Sequence, residues 1–147
     1  MLYAAEIWGW NEAECLEKLQ VKYIKWILGL DFNTLTHIVL EETKAEMIRI
    51  KAGKRAVKYE ESTRKKKTNK IIQEVWREID TKNERKLSKW EETRKKYYEE
   101  KGMDRQDLLE RWTGDQALAE ELAQMDRAEE SQVQYDRIVN GRYNKKI

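Results

Sequence analysis

Proline is missing from all 147 residues, cysteine and histidine occur once each, as Cys15 and His37, and glycine occurs six times. Each scarcity excludes something. A lone cysteine cannot close an internal disulfide, and with a lone histidine it cannot build a four-ligand Cys/His zinc cluster. No cofactor or metal is therefore expected, and a reducing intracellular setting, nuclear or cytoplasmic, fits. No apolar run approaches the ~18 residues of a membrane span, and no basic flank precedes the first apolar residues, so neither a span nor a signal peptide is expected. Apolar residues are also scarce, at 39%, while charged ones reach the same 39%. Against the ~45–50% and ~25% usual in globular domains, that balance calls for long solvated helices around a modest core. Six Trp and seven Tyr make up part of the deficit.

What is present favours helices. Lys, Glu, Arg, Gln, Leu and Ala dominate, β-branched runs are short, and several of Gly9, Gly29, Gly53, Gly102, Gly114 and Gly141 stand where helices would stop. Asn11 followed by Glu14 has capping-box spacing, ahead of Leu16, Leu19, Tyr23, Trp26 and Ile27 at helical steps before Gly29. Thr34 or Thr36 opens a second helical stretch that runs to about Ser62, interrupted only at Gly53, where it either continues or bends. A third stretch carries Ile71, Ile72, Val75, Trp76 and Ile79, and a fourth carries Leu87, Trp90, Arg94 and Tyr97 up to Gly102. Asp104 caps a short helix with Leu108, Leu109 and Trp112, and Asp115 caps a last one with Leu118, Leu122 and Met125. The chain reads as all-α: an irregular bundle of about five or six helices, one or two of them long and charged, with a less ordered acidic C-terminal part. Residues 1–103 form a helical domain with an aromatic core and a basic stripe, and residues 104–147 an acidic helical extension and tail.

The charge is unevenly spread. From Lys44 to Lys70 eleven basic residues meet three acidic ones, a net +8, whereas Asp104 to Val139 carries a net −6. On a continuous helix Lys44, Lys51, Lys58 and Lys65 recur every seven residues and drift only ~20° per step, with Lys54 and Arg55 beside them, a stripe of roughly 30 Å. Arg64, Lys65, Lys66, Lys67 and Lys70 extend it. Such a stripe suits phosphate neutralisation, which needs no base reading, provided that its cations stay clear of the acidic extension. The plain alternative is a solvated helix face. The apolar residues of this helix fall into two sets, Ile48/Ala52/Tyr59 and Ile50/Val57, so a straight helix must touch two neighbours.

No catalytic constellation is visible. The glycines are scattered singly, no Gly-x-Ser-x-Gly or His-Glu-x-x-His occurs, and neighbouring acids such as Glu41-Glu42 diverge on a helix. Cys15 reads as a small half-buried hydrophobe and His37 as a surface or capping residue. The tryptophans read as core anchors: Trp26, Trp76 and Trp90 keep helical step with aliphatic neighbours, while Trp8 and Trp10 pin the entry to the first long helix, with Gly9 permitting the turn between them.

The strings Tyr3-Ala4-Ala5-Glu6-Ile7-Trp8-Gly9-Trp10, Lys22-Tyr23-Ile24-Lys25-Trp26-Ile27-Leu28-Gly29-Leu30-Asp31 and Val39-Leu40-Glu41-Glu42-Thr43, in that order, resemble the region downstream of the polymerase core in insect-type non-LTR retrotransposon reverse transcriptases. The likeness continues through Lys51-Ala52-Gly53-Lys54-Arg55-Ala56-Val57-Lys58-Tyr59-Glu60 and returns at Gly141-Arg142-Tyr143-Asn144, and is loose between about Thr68 and Asn140. The resemblance implies a helical tail behind fingers, palm and thumb that helps to hold RNA or DNA. The polymerase's Asp-Asp turn has no counterpart, so no catalytic residue carries over and the segment is expected to be noncatalytic. The first string begins almost at Met1, which the resemblance reads as part of a longer reading frame. The expected partners are an RNA or DNA backbone, and a polymerase core or a second copy of the chain docked through Trp8, Trp10 and Trp26, with no membrane and no small-molecule substrate.

Overall fold

A computed structural model describes residues 2–11, 13–114 and 117–141. The described residues are helical throughout, without strands, as the composition demands. The helices are α1 (Ala5–Trp8), α2 (Glu14–Ile27), α3 (Thr36–Thr43), α4 (Ile48–Lys65), α5 (Lys70–Thr81), α6 (Lys89–Glu100), α7 (Arg105–Thr113) and α8 (Leu118–Val139), with one 3₁₀ turn at Glu84–Lys86 between α5 and α6.

Helix α4 is the axis of the molecule, against which α1, α2, α5, α7 and α8 all pack. Its buried positions Ile48, Ile50, Ala52, Gly53, Ala56, Val57, Glu60 and Thr63 cover a broad arc. That arc absorbs Ile48, Ala52, Ile50 and Val57 of the two apolar sets without breaking the helix, and leaves Tyr59 outside it. The helix runs unbroken through Gly53, whose missing side chain makes room for Tyr97: a Cβ there would lie 2.9 Å from the phenol oxygen. The interruption falls earlier, at Lys44, which adopts the left-handed conformation (φ 50°) after α3.

Helix α4 starts afresh at Ile48 because its first amides find an acceptor on another helix. The Glu17 carboxylate of α2 accepts from Ile48 N at 3.1 Å and Arg49 N at 2.7 Å. A carboxylate at a helix N-terminus satisfies orphan amides and complements the dipole. In turn Glu61 of α4 accepts from Leu118 N at 2.9 Å, at the first residue of α8. Local caps do appear elsewhere. Asp104 caps α7 as expected, in a capping box with Asp107, Ser88 and Glu91 form a box on α6, and Asn69 caps α5. The expected box at Asn11 and Glu14 does not form: α2 begins at Glu14 with Ala13 at its cap and no side-chain bond. Asp115 lies outside the described residues.

One hydrophobic cluster spans the proposed boundary at residue 104, joining Trp10, Ala56, Val57, Tyr98 and Met103 to Leu108, Leu118, Ala119 and Leu122. Residues 104 onward thus share the core of the first part, and the acidic extension contains a regular helix of 22 residues. Trp10 is a core anchor, with ring centroids 5.3 Å from Tyr97, 5.4 Å from Tyr98 and 6.2 Å from Trp90. It therefore packs on α6, not on α2. Trp8 is half-buried and donates from Nε1 to the Tyr3 carbonyl at 2.8 Å, whereas Trp26 is 69% exposed, its ring 5.9 Å from that of Tyr23 on the same helix, and is not a core anchor. Cys15 is exposed, where a half-buried position was expected.

Gly9 owes its place to close approach. Its φ of −64° is open to any residue, but a Cβ would come within 2.3 Å of the Ala52 carbonyl oxygen on α4. Gly9→Ala is expected to destabilise by about 2–4 kcal/mol, as overpacking against backbone does, and Trp10→Ala by about 3–5 kcal/mol through the cavity it leaves. Denaturant titrations followed by far-UV circular dichroism check both, and a loss below about 0.5 kcal/mol for either would refute the packing role.

Candidate nucleic-acid interface

The exposed cationic surface is built on the outer face of α4 and the turn into α5. Lys51, Lys58 and Lys65 stand two turns apart on that face, spanning about 21 Å along the axis. With Lys66 and Lys67 in the turn and Lys70 at the start of α5, they are exposed and have no ion-pair partner among the described residues. The helix holds this face outward because the opposite arc carries the Ala52, Gly53 and Ala56 contacts with α1 and the core. Tyr59, expected among the packed residues, is 52% exposed and lies beside the lysines.

Four expected members are placed otherwise. Lys44 sits on the separate turn after α3 and pairs with Glu41, so the four-lysine stripe is shorter by one repeat. Lys54 pairs with Glu120 of α8. Arg49, counted in the basic block, bonds Glu130 of the same helix at 2.9 Å. The acidic helix thus lies along one flank of α4 and neutralises two of its cations, contrary to the expected separation. Arg55 bonds the Leu2 carbonyl at 3.0 Å and Glu6 at 2.8 Å while keeping 46% of its side chain exposed, so it borders the strip as a paired cation.

Arg64 is largely withdrawn from the surface, with 10% of its side chain exposed. Its Nε donates to Glu60 Oε1 at 2.8 Å, and its two terminal nitrogens fork onto Asp80 at 2.7 and 2.8 Å. The guanidinium lies 4.3 Å from the Trp76 ring. Glu60, fully buried, also accepts from Arg94 Nε at 2.8 Å, from the other Arg94 nitrogen and from the Tyr98 hydroxyl at 3.1 Å. Burial opposes the charges of Arg64 and Arg94, but their carboxylate partners outweigh it and hold both above the ordinary arginine value. Burial, with Glu60 alongside, pushes the Tyr98 phenol well above its usual value, so the hydroxyl keeps the proton it donates. Sequence inspection missed this network. The only local signal was the i, i+4 pair Glu60/Arg64.

Clefts lie elsewhere, among them one of about 690 Å³ between the α3–α4 connection and α8 and one of about 480 Å³ between the α5–α6 connection and α7. Neither is lined by Cys15 or His37. Among the described residues no group of three or more His, Cys, Asp or Glu side chains is placed to hold a metal, and no helix is long and apolar enough to cross a membrane. Compared with known families, curated proteins and solved structures, the chain has no match.

Glu60→Ala is expected to cost about 3–5 kcal/mol, because it leaves the buried Arg94 guanidinium without its carboxylate and removes one of the two that hold Arg64. An unchanged melting temperature would contradict the network. The flanking ion pairs set an acid limit. Hydrogen bonds from Lys54 and Arg127 hold Glu120 below the ordinary glutamate value of 4.5, and Glu6 is lowered by its backbone hydrogen bond and then by Arg55. For a carboxylate lowered in the folded state, the stabilisation is present above the unfolded pKa and is lost as pH falls through the folded one. The melting temperature should therefore hold steady down to about pH 4.5 and fall below it, which calorimetry between pH 7 and pH 3 checks.

Proposed function

We propose that the chain is a noncatalytic, backbone-directed nucleic-acid-binding segment, a C-terminal part of a retrotransposon RNA-directed DNA polymerase. The observation that carries this reading is the set of exposed lysines Lys51, Lys58, Lys65, Lys66, Lys67 and Lys70, without ion-pair partners among the described residues, on the outer face of α4 and the turn into α5. Lysines so displayed act as point charges on phosphates, releasing condensed counterions wherever they land and reading no sequence. The resemblance of the N-terminal strings to the region behind a reverse-transcriptase core points the same way, and assigns the strip the task of holding template RNA or target DNA close to a polymerase. A helical face about 21 Å long matches part of one duplex turn of ~34 Å, so about five phosphates lie within reach.

The acidic helix α8 sharpens the reading. By taking up Arg49 and Lys54 it confines the cations to one side, so a polyanion approaches α4 from the face opposite the core and away from Glu120 and Glu130. About five contacts are then shared among Lys51, Lys58, Lys65, Lys66, Lys67 and Lys70, with Arg55 at the margin and Tyr59 available to pack on sugar or base.

Fluorescence anisotropy with a random-sequence duplex across a salt series tests this. Five contacts predict a slope of about −4.5 in log affinity against log salt, and Lys58→Gln with Lys65→Gln should reduce it by about two. Lys54→Gln, already neutralised in the fold, should leave it unchanged. A flat salt dependence, or a double variant that binds as the unaltered chain does, would end the proposal.

A further inference from the structure

The turn between α4 and α5 holds a hydroxyl that the fold leaves free. Thr68 is exposed, lies outside both helices, and has no hydrogen-bond partner among the described residues. Neighbouring hydroxyls are placed otherwise. Thr63 is buried, its Oγ1 donating to the Tyr59 carbonyl at 3.0 Å and accepting from the Trp76 ring nitrogen at 3.1 Å, and Ser62 lies within α4 behind Glu60 and Glu61. What precedes Thr68 is purely cationic. Lys65, Lys66 and Lys67 fill the three positions before it and Lys70 stands two after, all exposed without ion-pair partners among the described residues. No acidic residue occurs in the sequence between Glu61 and Glu74.

A free hydroxyl behind a run of cations is what a protein kinase with an acidic substrate groove selects, by charge complementarity. The backbone is already opened for such a groove. Lys66 (φ −76°, ψ 76°) has left the helix and Asn69 (φ −102°, ψ 99°) is extended, while Lys65 is still helical only as the last residue of α4, where fraying costs little. Ser88, behind Arg85 and Lys86, is the rival acceptor in sequence. Its hydroxyl is engaged: as the cap of α6 it accepts from Glu91 N at 3.3 Å, and the buried Glu91 carboxylate closes back on the Ser88 amide. A phosphate there would be set against that carboxylate, whereas at Thr68 it stands one residue before Asn69, the cap of α5, at the positive end of a helix.

We propose that Thr68 is a phosphorylation site for a protein kinase that selects cations ahead of its acceptor, and that the phosphate closes the lysine strip to nucleic acid. The Thr68 oxygen attacks the γ-phosphorus of ATP. The new O–P bond forms as the bond from that phosphorus to the β–γ bridging oxygen breaks, ADP leaves with the electron pair, and the hydroxyl proton passes to the kinase's base. At pH 7 the added group carries about −1.5 to −2 charge in the midst of Lys65, Lys66, Lys67 and Lys70, so that about two of the five backbone contacts are lost. The switch rests on the binding reading above; the site itself does not.

The full chain, incubated with magnesium, ATP and a purified kinase of that specificity, then digested and mapped by mass spectrometry, tests the site. Phosphate should appear on Thr68, and Thr68→Ala should abolish that modification while leaving the circular dichroism and the salt slope of duplex binding as they are. Phosphate on Ser88 or another hydroxyl with Thr68 bare would overturn the assignment. The phosphorylated chain, or one in which peptide ligation has replaced Thr68 by phosphothreonine, then enters the same anisotropy salt series. Its slope should fall from about −4.5 to about −2.7, and its affinity at about 0.1 M salt by about 50-fold. A slope unmoved by the phosphate, in a chain that binds as proposed when unmodified, would overturn the switch. A flat slope in the unmodified chain would end the binding reading and the switch with it, while the phosphate map decides the site.

Discussion

A single buried carboxylate organises the centre of the fold. Glu60 lies on the inner side of α4 and draws Arg64 from its own helix and Arg94 and the Tyr98 hydroxyl from α6 onto its two oxygens. Arg64 extends the network to Asp80 on α5 while stacking on Trp76, whose ring nitrogen donates to Thr63 at 3.1 Å. Three helices are thus keyed to one position. The desolvation of these charges means that the network adds little net stability over an apolar core of the same shape. It specifies arrangement instead, because a half-satisfied version would be far worse than a complete one. In a chain with few apolar residues to spare, aromatic rings and paired charges together fill the space that aliphatic side chains occupy elsewhere.

The same economy governs the helix ends. Glu17 reaches from α2 to the first amides of α4, and Glu61 reaches from α4 to the first amide of α8. These long-range caps tie successive layers together and break the helical stretch after α3. Close approach is achieved with small residues: Ala5 and Gly9 on one side and Ala52 and Ala56 on the other let α1 lie almost on the backbone of α4, while Gly53 admits the Tyr97 ring of α6. The outer face of α4 has no such duty, and lysines accumulate there without cost to the core.

Much of the architecture was legible in sequence because it rests on local physics. The all-helical class, the cap at Asp104, the ends near Gly29 and Gly102, and the burial of Trp10 and Trp76 follow from propensity, punctuation and periodicity. Gly53 left two paths open, because a glycine inside a helix carries the same local signal whether it bends the chain or admits a neighbour's ring. Trp26 misled for a related reason: it keeps step with Leu19 and Tyr23, and helical spacing marks an apolar face without saying what covers it. Arg64 was grouped with the surface lysines because it adjoins them in sequence, although one helical position suffices to turn a side chain from water into the interior.

The amino-acid sequence by itself determined the helices, the supply of lysines every seventh residue and the acidic composition of the C-terminal part. Only the tertiary structure decided which charges remain free. That division has a physical cause: helix formation depends on residues within about a turn of one another, whereas the pairing of Lys54 with Glu120, Arg49 with Glu130 and Arg94 with Glu60 joins residues brought together by packing alone.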